Sequence, residues 1–280
     1  MNKIYIFMIF IFVFKGTYLK ADESCLFVYG MCMEGRNELY STAVNLLQEE
    51  FYVEGYEQLV HQFNSGDYGA ARFIAMVANF DGFGPNDNSD EFIVRWLIKG
   101  SAKNDNEAML ILGIAYHEGR YGLKIDREKA KKLYYQSWAL GNPISAYRYV
   151  GMVSSVDNYF DVEINALIKA ASKLGAEKGH ARSQYTFAQW YLINNKEGHQ
   201  ANICAWLRLS VLQGFSVNNI SKSWDEEKCA AFKDKVYDEI IEKYRGEEYP
   251  DYEKLYEKQW LHYKKLRQKT RLDKTNHHNK

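Results

Sequence analysis

Proline is scarce in this chain and charge is balanced to nothing: three prolines in 280 residues, and 36 Lys and Arg against 36 Asp and Glu. Without a surplus of one sign, the whole molecule is not built to coat nucleic acid or a membrane. So few prolines beside 22 Tyr, 15 Phe and 6 Trp fit packed helices rather than a disordered chain. Long apolar runs are missing too. The uncharged stretch Ile4 to Phe14 has eleven residues, well short of the ~20 that cross a bilayer. With Lys3 before it, Lys15 after it and the small Ala21 beyond, residues 1–21 read as a cleaved signal peptide, with Gly16 as the alternative cut. That predicts a periplasmic or secreted protein. Asp22, Glu23 and Ser24 are wrong for a lipobox, so lipid attachment at Cys25 is not expected.

Catalytic motifs are absent as well. There is no G-x-S-x-G, no H-E-x-x-H and no paired-carboxylate context. "DGFGPND", Asp81 to Asp87, has the look of a glycine-rich phosphate loop but follows a helix pattern rather than a strand, so it is read as a turn. His117 and Glu118 are adjacent, and neighbours on a helix point in different directions. His277 and His278 lie in a polar tail. The expectation is therefore no enzyme, no cofactor and no metal.

Cysteine is limited to Cys25, Cys32, Cys204 and Cys229, with no C-x-x-C. An even number suits an oxidising compartment. Inside one regular helix, Cys25 and Cys32 would sit roughly 10 Å apart and could not bond, unless Gly30 breaks it. Cys204 opens one predicted helix and Cys229 starts the next, so a bond between them would staple the C-terminal cap to what precedes it. The alternative is four small buried apolar residues.

What is present is a repeat. Ala108, Ile111, Leu112, Ala115 and Tyr116 form one stripe of a helix that Gly119 ends; Ala130, Leu133, Tyr134, Ser137 and Trp138 form another, with Asp126 as N-cap and Gly141 past its end. One such hairpin cannot bury its second apolar side alone. Setting Ala71 on Ala108 also sets Gly82 on Gly119, and further copies open at Ala146 and Ala181, so the spacings read 37, 38 and 35 residues. "YVEGYEQLVHQFNSGDYGAA" looks like half of a degenerate earlier copy.

Ala108, Leu112, Gly113, Tyr116, Gly119 and Gly122, followed by Asp126, Lys129, Ala130, Tyr134 or Tyr135, Ala139 and Gly141, resemble the Sel1-like repeat, a relative of the tetratricopeptide repeat. The resemblance covers about Tyr68 to Phe215 and implies an all-α fold: a right-handed α-solenoid of antiparallel helix pairs, with a C-terminal capping helix and a basic tail. It also implies a scaffold whose concave groove is lined by the first helix of each pair. The expected organisation is a signal peptide (1–21), N-terminal helices with the degenerate repeat (22–67), four repeats (68–216), a capping helix (217–246) and a basic helical tail (247–280).

Within that frame, Leu112 and its counterparts Ala75, Val150 and Tyr185 are taken to pack inward. Positions five further on and two before then give Phe73, Phe80, His117, Arg148 and Trp190 as candidate partner-binding residues, aromatic anchors plus a cation. The competing reading places Phe80 and Trp190 in the core. The predicted function is an exported scaffold holding a protein or peptide partner and no nucleic acid. The alternatives are a cell-wall-related hydrolase or an accessory subunit of a secretion or polysaccharide-export machine. From Trp260 the tail carries seven Lys and Arg against Asp273 alone. Contact with an anionic membrane is the secondary reading of that end, and a solvated tail the preferred one.

Overall fold

The computed structural model describes residues 51–77, 90–154, 161–194, 198–215 and 235–246, together with 27–28, 31–32, 43, 46 and 229. The predicted signal peptide, Phe80, Cys25, the "DGFGPND" turn and the basic tail lie outside these residues. Among the described residues the chain is helical apart from one short antiparallel pair, β1 (Phe27–Val28) with β2 (Met31–Cys32), in the segment for which helices were expected.

Ten helices follow among the described residues: α1 (Tyr52–Asn64), α2 (Ala70–Val77), α3 (Asp90–Ala102), α4 (Asn106–Glu118), α5 (Arg127–Ala139), α6 (Pro143–Val153), α7 (Val162–Glu177), α8 (Ala181–Asn194), α9 (Gln200–Leu212) and α10 (Lys235–Tyr244). Short polar side chains start several of them. Asp105, Asp126, Asn142 and Asp161 each accept from the backbone N–H three residues on, giving α4 to α7 their N-caps. Gly119 ends α4 in the left-handed region at φ 69°, as its place in the sequence predicts. The turn after it also holds Tyr121 at φ 54°, with its enclosed hydroxyl pushed up to about 12 by burial.

Each helix packs on the next in sequence from α1 to α9, so the core is one continuous strip. The pairs are α2/α3, α4/α5, α6/α7 and α8/α9. Across pairs, first helix meets first helix, α2 with α4 and α6 with α8, and no two second helices approach as closely among the described residues.

The pairs interlock through small residues. Ala71, Ala108, Ser145 and Ser183 on first helices face Gly100, Ser137 and Gly175 on second helices, all of them buried. A Cβ on Gly100 would stand 2.9 Å from that of Ala108, and Ser145 Oγ donates to Ser137 Oγ at 2.6 Å. These crossings put equivalent positions 37, 37 and 38 residues apart. The spacing of 37, 38 and 35 read from the sequence is corrected accordingly: the third copy starts one residue earlier and the fourth two residues later, relative to Ala146 and Ala181. Inside the best-matching pair, Tyr134 is fully buried and leaves no room for a side chain on Gly113, where a Cβ would come within 2.7 Å of the ring.

At the far end α10 packs on α9. Trp206 and Tyr244 lie 5.0 Å apart, Tyr244 donates its hydroxyl proton to Glu177 at 2.9 Å, and the expected Cys204–Cys229 disulfide is formed, with Cα atoms 5.2 Å apart.

Candidate partner-binding face

The corrected register changes which side chains share a face. Tyr147 on α6 and Tyr185 on α8 become equivalent, as do Gly151 and Gln189. On α8, Arg182, Tyr185, Thr186, Gln189 and Ile193 recur at helical spacing as one stripe that reaches solvent, with Ile193 52% exposed. On α6 the corresponding stripe is Tyr147, Arg148 and Gly151, with Ser154 just past the helix end. The two are joined: the Arg182 guanidinium lies 5.7 Å from the Tyr147 ring centre, Gln189 Nε2 donates to Tyr185 Oη at 3.0 Å, and Tyr185 stacks on Phe215 at 4.8 Å. At the same positions of α4, Leu110 and Ile114 are buried, so the open stripe spans α6 and α8.

Beside it, where the second and third pairs meet, sits a polar cluster. The Glu118 carboxylate accepts from Arg120 Nε at 2.8 Å and from Arg148 Nη1 at 3.2 Å. Arg148 also lies 5.9 Å over the Tyr134 ring, and Tyr134 Oη is 3.4 Å from His117 Nδ1. Burial first, then the Arg148 cation, push the His117 imidazole below its ordinary 6.5, against the opposing pull of Glu118. His117 is therefore a neutral hydrogen-bonding group near pH 7, set beside an arginine that is itself tethered.

Two consequences are measurable by NMR titration of the His117 ring. Arg148→Met, which removes a nearby cation, is expected to move its pKa back up, and Glu118→Gln to move it further down. Because the unfolded chain takes this proton at higher pH than the folded one, the contribution to stability is complete above about 6.5 and is lost as pH falls through the lowered folded value.

Of the sequence-derived candidates, His117 and Arg148 are brought together by Glu118 and Tyr134. Phe73 and Trp190 are not on this face: they are 3% and 7% exposed, in the core. The Phe73 ring lies under the Arg72 guanidinium at 5.0 Å, and Trp190 Nε1 donates to Asn165 Oδ1 at 2.6 Å. Both corrections have one cause. Position two before Leu112 faces the core, as Leu110 shows, and Trp190 occupies the slot of the buried Ala115 rather than that of His117. Tyr147, Arg182, Tyr185 and Gln189, which the sequence pattern did not single out, complete the candidate face. The signal that would have found them is the cap Asn142 with Ser145, set against His180 with Ser183, whose Nδ1 and Oγ lie 2.8 Å apart.

Among the described residues, a stack of antiparallel helix pairs, interlocked through small residues every 37 or 38 positions, defines an α-solenoid, the fold that Sel1 repeat proteins adopt. The chain is similar in structure to a Sel1 repeat protein from Oxalobacter formigenes, at a TM-score of 0.51 and 16% identity, over 74% of this chain and 86% of that one. At that identity what the two share is the fold. A protective antigen from uropathogenic Escherichia coli, c5321, which displays an SLR fold, aligns at a TM-score of 0.39 and 14% identity, over 70% of this chain and 50% of that one. No family model and no curated protein matches the chain.

Proposed function

We propose that this is an exported protein-interaction scaffold that holds an extended segment of a protein partner against the first-helix face. One observation carries the reading: the faces of α6 and α8 left over from stacking present tyrosines at equivalent positions, Tyr147 with Tyr185, with the Arg182 guanidinium near the Tyr147 ring and Arg148 next to Tyr147 in the chain. Large rings with a polar tip and planar cations are the residue types that anchor protein partners. Closer approach among first helices than among second helices supports curvature with the first helices on the inner side. The Cys204–Cys229 bond and the N-terminal apolar run both support an oxidising compartment.

Site-specific photocrosslinking in the source cell's envelope tests it. A benzoylphenylalanine at Gln189 should give a discrete adduct that Tyr147→Ala/Tyr185→Ala abolishes. The same group at Val162, 84% exposed at the start of a second helix, should not. Equal adducts from both positions, or none from Gln189, would remove the first-helix face as the docking surface.

A further inference from the structure

A second surface lies elsewhere on the molecule. Between α5 and α6 is a cavity of about 450 Å³ lined by Glu128, Lys129, Lys131, Lys132, Tyr135 and Tyr149. Its volume is in the range that takes a small ligand or a few side chains. Tyr149 stands two residues from Tyr147, ~200° around α6, so the cavity looks away from the face described above. Aromatic packing fixes its floor: Tyr149 stacks on Trp138 at 5.3 Å and meets Tyr135 at 5.5 Å.

Two features of this floor are unspent by the fold. Tyr149 is 8% exposed and lines the cavity, and its hydroxyl, which has no hydrogen-bond partner among the described residues, is not sealed off from solvent. Solvent hydrates that hydroxyl in the free protein, and a ligand acceptor would take the place of water there. Burial and the neighbouring Tyr135 raise the Tyr149 pKa, so the hydroxyl is a donor at any physiological pH. Tyr135, by contrast, leaves much of its ring in solvent at 43% exposure.

The rim carries the sign. Lys129 is tied to Asp126 at 3.1 Å and Lys131 to Glu128 at 2.6 Å, but Glu128 is on the surface and that i,i+3 pair is weak. Lys132 is exposed and has no ion-pair partner among the described residues. Glu128, Lys131, Lys132 and Tyr135 sit at i, i+3, i+4 and i+7, one stripe about 10 Å long on α5. That is the length of three or four residues of extended chain at ~3.3 Å each.

We propose that this cavity is a docking site for an acidic peptide segment. A carboxylate of that segment accepts from the Tyr149 hydroxyl, a second pairs with Lys132 and with Lys131 released from Glu128, and an aromatic or aliphatic side chain lies on the Tyr135 ring. This site is independent of the first-helix face and does not require it.

The test is fluorescence anisotropy with a labelled Glu-Glu-Tyr-Glu-Glu peptide on the intact, oxidised chain. Saturable binding is expected, at least ~10-fold weaker in Lys131→Glu/Lys132→Glu and in about 0.5 M salt. Tyr149→Phe, which removes one oxygen and keeps the ring packing, should weaken it several-fold without moving the thermal melt. Tyr185→Ala, on the other face, should leave it unchanged. The proposal is overturned by an absence of saturable binding, by equal binding in the lysine variant, by equal binding of a Lys-Lys-Tyr-Lys-Lys peptide, or by polygalacturonate binding as well as the acidic peptide does.

Discussion

Gly175→Ala is expected to destabilise the solenoid by about 3 kcal/mol, a cost in the range of forcing extra atoms into a packed core. The added Cβ would stand 2.2 Å from Ser183 Oγ, 2.5 Å from Ser183 Cβ and 3.3 Å from the Pro143 carbonyl oxygen. Rotating the hydroxyl relieves the first contact only. The second is between two atoms fixed by backbone, so α7 and α8 must separate at their crossing. Ser183→Ala should therefore fail to rescue Gly175→Ala, whereas Ser183→Gly should recover most of the loss, despite costing the contact to His180. Gly151→Ala is the control. Nothing lies within 4 Å of a Cβ there, and α6 should gain roughly 0.5–1 kcal/mol from the better helix former. Urea melts of the four variants decide the matter, and a Gly175→Ala protein as stable as the wild type would refute the interlocked register.

The second large effect is expected at the C-terminal end. Cys204→Ala/Cys229→Ala, or reduction of the wild type, removes a link across 25 residues, which chain-entropy arguments value at about 3 kcal/mol. Much of the loss should be local. Apart from the disulfide, α10 is held by Tyr244, through its ring on Trp206 and its hydroxyl on Glu177, and by the partly buried Ile240 and Ile241 packed against the core, while Val236 is 42% exposed. Amide exchange in Lys235–Tyr244 should accelerate well before α4 or α5 responds. Alanine substitution at both cysteines avoids leaving a buried thiol at Cys204, which is fully enclosed. Unchanged exchange in α10 after reduction would show that the bond holds nothing the packing does not already hold.

The helices were legible because their signals are local. Asp126 announces α5, Gly119 closes α4, and the stripe from Ala108 to Tyr116 has the helical period, so the pair was readable residue by residue. The Cys204–Cys229 pairing was legible for the same reason, since two predicted helix starts were placed next to each other. The face was only half legible. His117 and Arg148, both candidates from the sequence, lie together in the polar cluster beside that face. Yet Phe73 and Trp190 went to the core, and Tyr147, Tyr185 and Arg182 went unnoticed.

Composition and periodicity by themselves determined that this chain is a row of helix pairs that must stack, since no single pair can cover both its apolar sides. Only the tertiary structure decided which residues remain outside. Each residue advances a helix by ~100°, so an error of one or two positions in aligning the copies carries a side chain from the core to solvent. The alignment is set where Ser137 meets Ser145 and Gly175 meets Ser183, by contacts between helices that no stretch of sequence records within itself. The open hydroxyl of Tyr149 has the same origin, because it depends on how α6 lies against α5 and not on any residue beside it in the chain.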